Sequence, residues 1–194
     1  MRQPLHFALY NVGLAKPQTQ TSAAERDAIA RYATNRSTAA EIGVWHGVTT
    51  RRIAGAMASG GVVYAVDNYV AGRFGISFPY AIARRNTRPF RDRVKFVRAT
   101  GKEAAAEFAK SGAKFDFVFI DGDHSYDGLR TDWESWTPLI ALGGIVALHD
   151  SRSSATTNLE GSGSVIYTRE VVRKDERFTL VEEVDTLTVL RRIY

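Results

Sequence analysis

Five short apolar segments, separated by stretches with helical patterns, constrain the fold more than any other feature of the chain. They lie at residues 39–44, 62–66, 94–97, 115–120 and 145–148. The segment "GIVAL" is apolar throughout, and "FDFVFI" is apolar except for Asp116 near its start. A strand of that kind requires cover on both faces, which a parallel sheet between two layers of helices provides. The alternation therefore predicts a doubly wound α/β fold.

The stretches between the apolar segments predict helices, and the last part of the chain predicts a hairpin. Ser22 and Glu25 have capping-box spacing at the start of the first helix. In the stretch that precedes the fifth strand, Trp133 and Trp136 fall on one helical face and are expected in the core. The other helices are expected over 49–58, within 77–88, over 101–110 and over 129–140. Two β-rich runs, 177–184 and 186–193, predict an antiparallel hairpin that closes the sheet edge.

Length and composition predict a single domain over residues 1–194. The chain is 44% hydrophobic, which supplies one sizeable core. We expect residues 1–20 to form an N-terminal extension, and the Ser/Thr/Gly-rich residues 151–164 to form a loop that acts as a lid. The absence of cysteine excludes disulfides and thiolate metal sites, and no segment approaches the length of a membrane span. The sequence therefore predicts a soluble, cytoplasmic protein with no membrane partner.

The net charge of +5 is concentrated in one segment, residues 84–98. Seven basic residues share this segment with one acid, Asp92. Such a cluster permits a nucleic-acid surface, but the segment lacks the interleaved aromatic residues on which bases stack. We therefore favour a solvated face and do not expect a nucleic-acid partner.

The stretch "EIGVWHGVTT" places Gly43 and Gly47 between the first apolar segment and a helix. Glycines at this point favour either a tight connection between strand and helix or a nucleotide-like ligand against the bare backbone. Asp67 lies 20 residues after Gly47, the interval at which an acid meets the ribose hydroxyls of an adenosine-containing ligand. A dinucleotide is disfavoured, because the spacing is G-x-x-x-G and the carboxylate of Glu41 beside it would repel a pyrophosphate.

Polar side chains also follow the fourth and fifth apolar segments. The fourth ends in "IDGDHSYDG" and the fifth in "LHDS". Because the carboxyl ends of parallel strands meet at one edge of a sheet, these side chains are expected to converge there. They are Asp121, Asp123, His124, His149 and Asp150. By contrast, we interpret His6 and His46 as structural, and Asp127 and Asp132 as residues that cap or decorate the following helix.

Taken together, "EIGVWHGVTT", "VYAVDNY", "FDFVFIDGDHSYDGLRTDWESW" and "LGGIVALHD" resemble class I S-adenosylmethionine-dependent methyltransferases. The resemblance is to the small group with an "IDGDHSY" motif, which includes sugar and natural-product O-methyltransferases. It implies a Rossmann-like, seven-stranded, mostly parallel sheet that ends in the antiparallel hairpin. It also implies the residues that bind S-adenosylmethionine: Glu41, Gly43 and Gly47 at the methionine end and ribose, Asp67 at the ribose hydroxyls, Asn68, Thr100 and Gly101 at the adenine, and Asp121 beside them.

The same resemblance implies roles for the acids and histidines at the strand ends. Related O-methyltransferases hold a divalent cation, which here assigns Asp121 and Asp150 as metal ligands and Asp123 as the general base. His149 stands where those relatives have a carboxylate, and imidazole suits transition metals better than magnesium. Two alternatives stay open: His149 is a third metal ligand, or it is itself the base. His124 is a further catalytic candidate, and the resemblance leaves open whether the chain forms a homo-oligomer.

The acceptor atom is expected to be oxygen. Methyltransferases that act on amino groups carry an Asn/Asp-Pro-Pro-aromatic motif at the fourth strand end, and "IDGD" occupies that place here. The chain has no inserted domain for a macromolecule, so we expect a small acceptor such as a sugar or a phenolic natural product. The alternatives are an RNA methyltransferase that uses the 84–98 arginine cluster and a cofactor-binding protein without catalytic activity.

Overall fold

The computed structural model describes residues 3–72 and 75–194 of the chain. Its seven strands form one mixed sheet in the order β3-β2-β1-β4-β5-β7-β6. The strands are β1 (Thr38–Ile42), β2 (Val62–Val66), β3 (Val94–Val97), β4 (Phe115–Ile120), β5 (Ile140–Leu148), β6 (Phe178–Val184) and β7 (Leu187–Arg192). β1 to β5 run parallel, whereas β7 is antiparallel to both β5 and β6. The predicted doubly wound fold with a C-terminal hairpin is confirmed.

The helices cover both faces of this sheet and bury two apolar clusters against it. They are α1 (Gln3–Asn11), α2 (Ala23–Ala33), α3 (Val48–Ala56), α4 (Phe78–Asn86), α5 (Gly101–Lys110), α6 (Tyr126–Trp136) and α7 (Gly163–Glu170). One cluster lies under α2, α3 and α4, and the other lies under α5 and α6. Phe117 and Phe119 of β4 face the first cluster, while Phe115, Val118 and Ile120 face the second. A strand buried on both faces is apolar at nearly every position, which is the pattern of "FDFVFI". Its one acid, Asp116, is only half-buried and accepts a hydrogen bond from the N–H of Ser37 at 2.9 Å.

The reversal of strand order between β1 and β4 sets the place of the site. From β1 the sheet continues to β2 and β3 on one side and to β4 and β5 on the other. The loops that follow β1 and β4 therefore leave in opposite directions and open a crevice outside the carboxyl ends of the strands. Glu41 of β1 lies in register with Ala65 of β2 and Phe119 of β4, so this acid stands on an interior strand of the sheet, with a strand on either side.

Several boundaries differ from the sequence-based expectation. α1 lies within the predicted N-terminal extension, and α7 begins at Gly163, so the expected loop 151–164 ends two residues earlier. The helix expected over 129–140 runs from Tyr126 to Trp136, because Ser125 caps its N-terminus. Pro138 falls in a 3-10 turn after that helix, and β5 then starts at Ile140 rather than at 145.

Two expectations about the core are confirmed. Trp133 and Trp136 are buried in the second apolar cluster, and Ser22 and Glu25 form both hydrogen bonds of the capping box. Among the helices of residues 3–72 and 75–194, none combines the length and the apolar character that crossing a membrane requires.

Candidate active site

A cavity of about 790 Å³ opens at the carboxyl ends of β1, β2, β3 and β4. Nine of the residues predicted to bind cofactor or take part in catalysis line it: Glu41, Gly43, Asp67, Asn68, Thr100, Gly101, Asp121, Asp123 and His124. Its described walls do not include Gly47, His149 or Asp150. The loops after four successive strands thus build one cavity at the crevice that the strand order creates.

Residues 43–47 form the turn between β1 and α3, which we call the glycine turn. Its two glycines serve different purposes. Gly43 has a φ of 87°, and a Cβ there would clash with the backbone carbonyl of Asp121, so its bareness lets the loops after β1 and β4 meet. Gly47 has a φ of 68° and is the N-cap of α3. A Cβ on Gly47 would face Ala83 of α4 at 3.3 Å rather than the cavity. The place of Gly47 beside the ligand stays a prediction, and its described role is in the packing of α3 against α4.

Asp67 joins the end of β2 to the glycine turn. One carboxylate oxygen accepts hydrogen bonds from the backbone N–H groups of Val44 and Trp45, both at 3.0 Å, and the other accepts from Tyr69 at 2.8 Å. A carboxylate offers about four acceptor positions, so these three bonds orient the group and leave capacity for a ligand hydroxyl. Asp67 is thus held in place before any ligand arrives.

Glu41 is a buried acid in the cavity wall, with 1% of its surface exposed. Its carboxylate accepts a hydrogen bond from the hydroxyl of Thr50 on α3. Burial raises the pKa of Glu41 well above its usual range, and the nearby acids Asp121 and Asp67 raise it further. A positively charged ligand group would reverse this shift, because it stabilises the ionised form.

Two histidines and two aspartates form an acid–histidine cluster at the ends of β4 and β5. His149 Nδ1 lies 2.9 Å from Asp121 Oδ1, and His124 Nδ1 lies 2.8 Å from Asp150 Oδ2. His124 Nε2 also approaches Asp121 Oδ1 at 3.4 Å. Asp121 and Asp150 raise the pKa of His124 to about 9. Burial lowers the pKa of His149, but Asp121 and Glu25 outweigh burial and raise it to about 10.

Glu25 anchors this cluster from behind, a role that the sequence analysis missed. Its Oε2 lies 3.4 Å from His149 Nε2, and both residues are buried. Its Oε1 accepts hydrogen bonds from the backbone N–H and the hydroxyl of Thr186, at 2.9 and 2.7 Å. Burial would raise the pKa of Glu25, yet the contacts with His149, Ser22 and Thr186 lower it to about 2. Its capping-box position was visible in the sequence, but the partner residue 161 positions away was not.

A family model described as a methyltransferase domain matches residues 40–151, which include most of the cavity walls and the acid–histidine cluster. The chain belongs to this methyltransferase family. Its fold is that of the class I S-adenosylmethionine-dependent enzymes. Among curated proteins, none matches the chain significantly.

Solved structures with the same fold come from several bacteria. An O-methyltransferase from Bacillus cereus, in complex with S-adenosylhomocysteine (SAH), has 17% identity and a TM-score of 0.70 over 100% of this chain and 91% of its own. A candidate caffeoyl-CoA O-methyltransferase from Staphylococcus aureus has 16% identity and a TM-score of 0.67 over 99% and 92%. A candidate rRNA methylase from Clostridium thermocellum has 14% identity and a TM-score of 0.64 over 90% and 100%. At such identities the likeness is one of fold.

The methyltransferase has a set of donors that suits a metal ion. Ligand atoms of Asp121, His124 and His149 lie within 4.8 Å of one another. Both ring nitrogens of His149 are buried and lack a well-aligned hydrogen bond from the residues that the structure describes. Two imidazoles and one carboxylate fit a transition metal better than magnesium. Relative to the expected ligands Asp121, His149 and Asp150, the structure puts His124 in the group and Asp150 behind it, in contact with both rings.

Of the remaining residues singled out from the sequence, two aspartates are exposed and two histidines are buried. Asp123 is exposed on the cavity wall, and its Oδ1 accepts a hydrogen bond from the N–H of Ser125 at 2.9 Å. Asp127 is also exposed and pairs with Arg130 at 3.0 Å, as expected for a surface residue. His6 and His46 are buried and stack with their ring centroids 5.2 Å apart, which confirms their structural role.

The 84–98 arginine cluster lies outside the cavity walls that the structure describes. Several of its guanidinium groups lie over aromatic rings: Arg84 and Arg98 over Tyr80, Arg85 over Tyr10 and Arg93 over Phe90. Arg93 also donates to the backbone carbonyl of Ala58 at the end of α3. These arginines therefore cover apolar side chains and helix ends of the methyltransferase.

Proposed function

We propose that this methyltransferase binds S-adenosylmethionine in the cavity and transfers its methyl group to an oxygen atom of a small acceptor molecule. The observation that carries the proposal is the continuity of the site. One cavity runs from a carboxylate fixed against the glycine turn, Asp67, to the acid–histidine cluster beyond Asp121. The residues proposed to bind the cofactor and those proposed to act on the acceptor thus lie next to each other at one edge of the sheet.

The cavity walls fit the parts of S-adenosylmethionine. Asp67 would accept from the ribose hydroxyls, since its carboxylate is oriented and keeps acceptor capacity. Glu41 would face the cationic methionine end, because the burial that raises its pKa makes a nearby positive charge favourable. Asn68, Thr100 and Gly101 would border the adenine. When bound, the cofactor supplies the activated methyl group.

Asp123 is the proposed base for the acceptor hydroxyl. It lies on the cavity wall and is exposed, so an acceptor can reach its carboxylate. The raised pKa values of His124 and His149, about 9 and 10, keep both rings protonated near neutral pH. A protonated imidazole does not accept a proton, and His149 is also buried behind Asp121. The alternative in which His149 is the base is therefore disfavoured.

A divalent cation would be held by Asp121, His124 and His149, with Asp150 and Glu25 orienting the two rings, and it would displace the protons that these rings carry in the metal-free protein. A metal ion at this place would lower the pKa of a neighbouring acceptor hydroxyl.

The acceptor is proposed to be a sugar or a phenolic compound. The O-methyltransferase and candidate caffeoyl-CoA O-methyltransferase among the structural neighbours support oxygen as the acceptor atom. The position of the arginine cluster outside the cavity disfavours RNA, which needs a basic surface leading to the reacting base. A cytoplasmic location stays a prediction from composition.

A transfer assay with radiolabelled S-adenosylmethionine tests the proposal. The acceptor panel comprises sugars, catechols and RNA, each assayed with EDTA and with added manganese, cobalt or zinc. We expect transfer to a hydroxyl compound, lost in EDTA and restored by a metal. Asp123→Asn should lower kcat at least tenfold, and Asp92→Asn, on the exposed surface, should not. Transfer to RNA that weakens steeply with salt would support the alternative instead.

A further inference from the structure

Asp132 differs from the other acids that line the cavity. It lies on α6 and is buried, with 8% of its surface exposed. Glu41, Asp67 and Asp123 each accept a hydrogen bond from a hydroxyl or a backbone N–H. Within residues 3–72 and 75–194, by contrast, no group donates a hydrogen bond to Asp132 that meets ordinary geometry. Its carboxylate faces the cavity, so the donors that a carboxylate needs have to come from solvent or from a ligand there.

The carboxylate of Asp132 lies between two glycines, one in the loop region after β3 and the other after β4. A Cβ on Gly101, the first residue of α5, would clash with Oδ1, and a Cβ on Gly122, after β4, would lie 2.8 Å from Oδ2. Ile42 at the end of β1 contacts the same space. The glycines thus make room for this acid and leave it facing the cavity that it lines. The arrangement places one free acceptor in an otherwise apolar corner.

The surroundings leave Asp132 as the acceptor best placed in this corner. Thr100 donates its hydroxyl to Glu103 Oε2 at 2.8 Å and accepts from Glu103 N–H at 3.3 Å. The indole N–H of Trp136 donates a hydrogen bond to the carbonyl of Gly101 at 3.1 Å, so it does not reach Asp132. Burial, together with the nearby charge of Asp123, raises the pKa of Asp132 to about 6. The group is therefore under strain that a hydrogen-bond donor from a ligand would relieve.

We propose that Asp132 recognises the adenine of the cofactor by accepting a hydrogen bond from its 6-amino group. The inference rests on the proposed function, in which Thr100 and Gly101 border the adenine. Asp132 touches Gly101 and faces the cavity, so it lies at that end of the ligand. The 6-amino group is a donor that hypoxanthine lacks, since hypoxanthine has a carbonyl oxygen there. Asp132 would thus select adenosyl over inosyl ligands, because facing oxygens repel each other.

Calorimetry with two ligands tests this inference: SAH and its deaminated form, S-inosylhomocysteine. The wild-type protein should bind SAH at least tenfold more tightly. Asp132→Asn should bring the two affinities to within about threefold of each other, because an amide can accept from the 6-amino group of adenine or, after rotation, donate to the carbonyl oxygen of hypoxanthine. Asp92→Asn is the control and should change neither affinity. The melting temperature of the ligand-free Asp132→Asn variant should rise by a few degrees, because the variant removes an unpaired buried charge.

The outcomes separate the inference from the proposed function. Equal loss of both affinities in Asp132→Asn, with a lower melting temperature, would mean that Asp132 supports the fold only, and would overturn the inference. So would a wild-type protein that binds both ligands equally, a measurement that needs no variant. If the wild-type protein binds neither ligand, the proposed function is wrong and the inference falls with it.

Discussion

At the scale of single residues, the acids of the cavity differ in what already binds them. Asp67 is fixed by three backbone N–H groups, Glu41 by one hydroxyl, and Asp132 by none that the structure describes. Pre-organised acceptors lose little entropy when a ligand binds, whereas an unpartnered acid gains most from a new donor. These differences predict distinct responses to substitution.

Asp67→Ala should weaken the binding of SAH by about 1–3 kcal/mol, because it removes charge-assisted hydrogen bonds to the ribose and loosens the glycine turn. Isothermal titration calorimetry measures the change, and Asp92→Ala, on the exposed surface, is the matched control. Unchanged affinity, or tight binding of NAD with none for SAH, would contradict the assignment.

Glu41 should release a proton when the cofactor binds. Burial raises its pKa well above the usual range in the ligand-free protein, and a cationic amino group brought close lowers that pKa. Calorimetry of SAH binding at about pH 6.5, in two buffers with different ionisation enthalpies, counts the protons. Glu41→Gln should remove the release, and a release that persists in this variant would show that another group is responsible.

The sequence predicted the residues that stand directly at strand ends, but not those that reach the site from a helix. Gly43, Asp67 and Asp121 follow apolar strands, so topology alone placed them together. Asp132 carried a signal that we interpreted wrongly: with Leu129, Trp133 and Trp136 it has the spacing of the buried helical face. An acid on such a face needs an explanation. Glu25 carried no such signal, because its partner Thr186 is far along the chain.

At the scale of elements, the segment between β5 and α7 connects the cluster to the cavity mouth. The hydroxyl of Ser164 donates to the carbonyl of Asp150 at 2.6 Å, and its N–H donates to the carbonyl of His124 at 2.9 Å. These bonds tie the start of α7 to the loops after β4 and β5. α7 escaped prediction because its first turn continues a Ser/Gly-rich stretch, whose composition indicates a loop. α1 was missed because it is short and begins without a charged cap.

Gly163→Ala should disturb this junction, whereas Gly161→Ala should not. A Cβ on Gly163 would clash with the backbone N–H of Tyr126 at the start of α6, while a Cβ on Gly161 meets no atom within 4 Å. We expect Gly163→Ala to lower the free energy of unfolding by about 1–3 kcal/mol, the usual cost of overpacking. Urea denaturation of both variants measures the difference. Equal stability of the two would show that the junction adjusts freely.

Residues 151–162 keep the predicted role of a lid. The segment has no regular secondary structure and contains exposed residues beside the acid–histidine cluster. We expect slower hydrogen exchange of its amides when cofactor and acceptor are both bound than when SAH alone is bound. Exchange that is equally slow in the free protein would contradict a mobile lid.

At the scale of the whole molecule, the buried charge of Asp132 should make stability depend on pH. Its pKa is about 6 in the folded state and 3.8 as a free side chain. Between these values the unfolded chain loses the proton first, so stability falls as pH rises, and above pH 6 the loss is complete. Relative to Asp132→Asn, the ligand-free wild-type protein should thus lose about 2–3 kcal/mol between pH 4 and pH 7. Denaturation curves at several pH values measure it, and parallel profiles would contradict the prediction.

The anchor behind His149 also orders events during synthesis of the chain. Every wall of the cavity is supplied by residues up to Asp132, whereas Glu25 is fixed by Thr186 and Ser22 donates to Asp185 at 2.5 Å. A growing chain on the ribosome therefore possesses the residues of the nucleotide-side pocket well before position 186 is made. His149 gains Glu25 as an oriented partner only when the hairpin of β6 and β7 packs against α2. In biosynthesis, the residues of the cavity therefore precede the completed acid–histidine cluster.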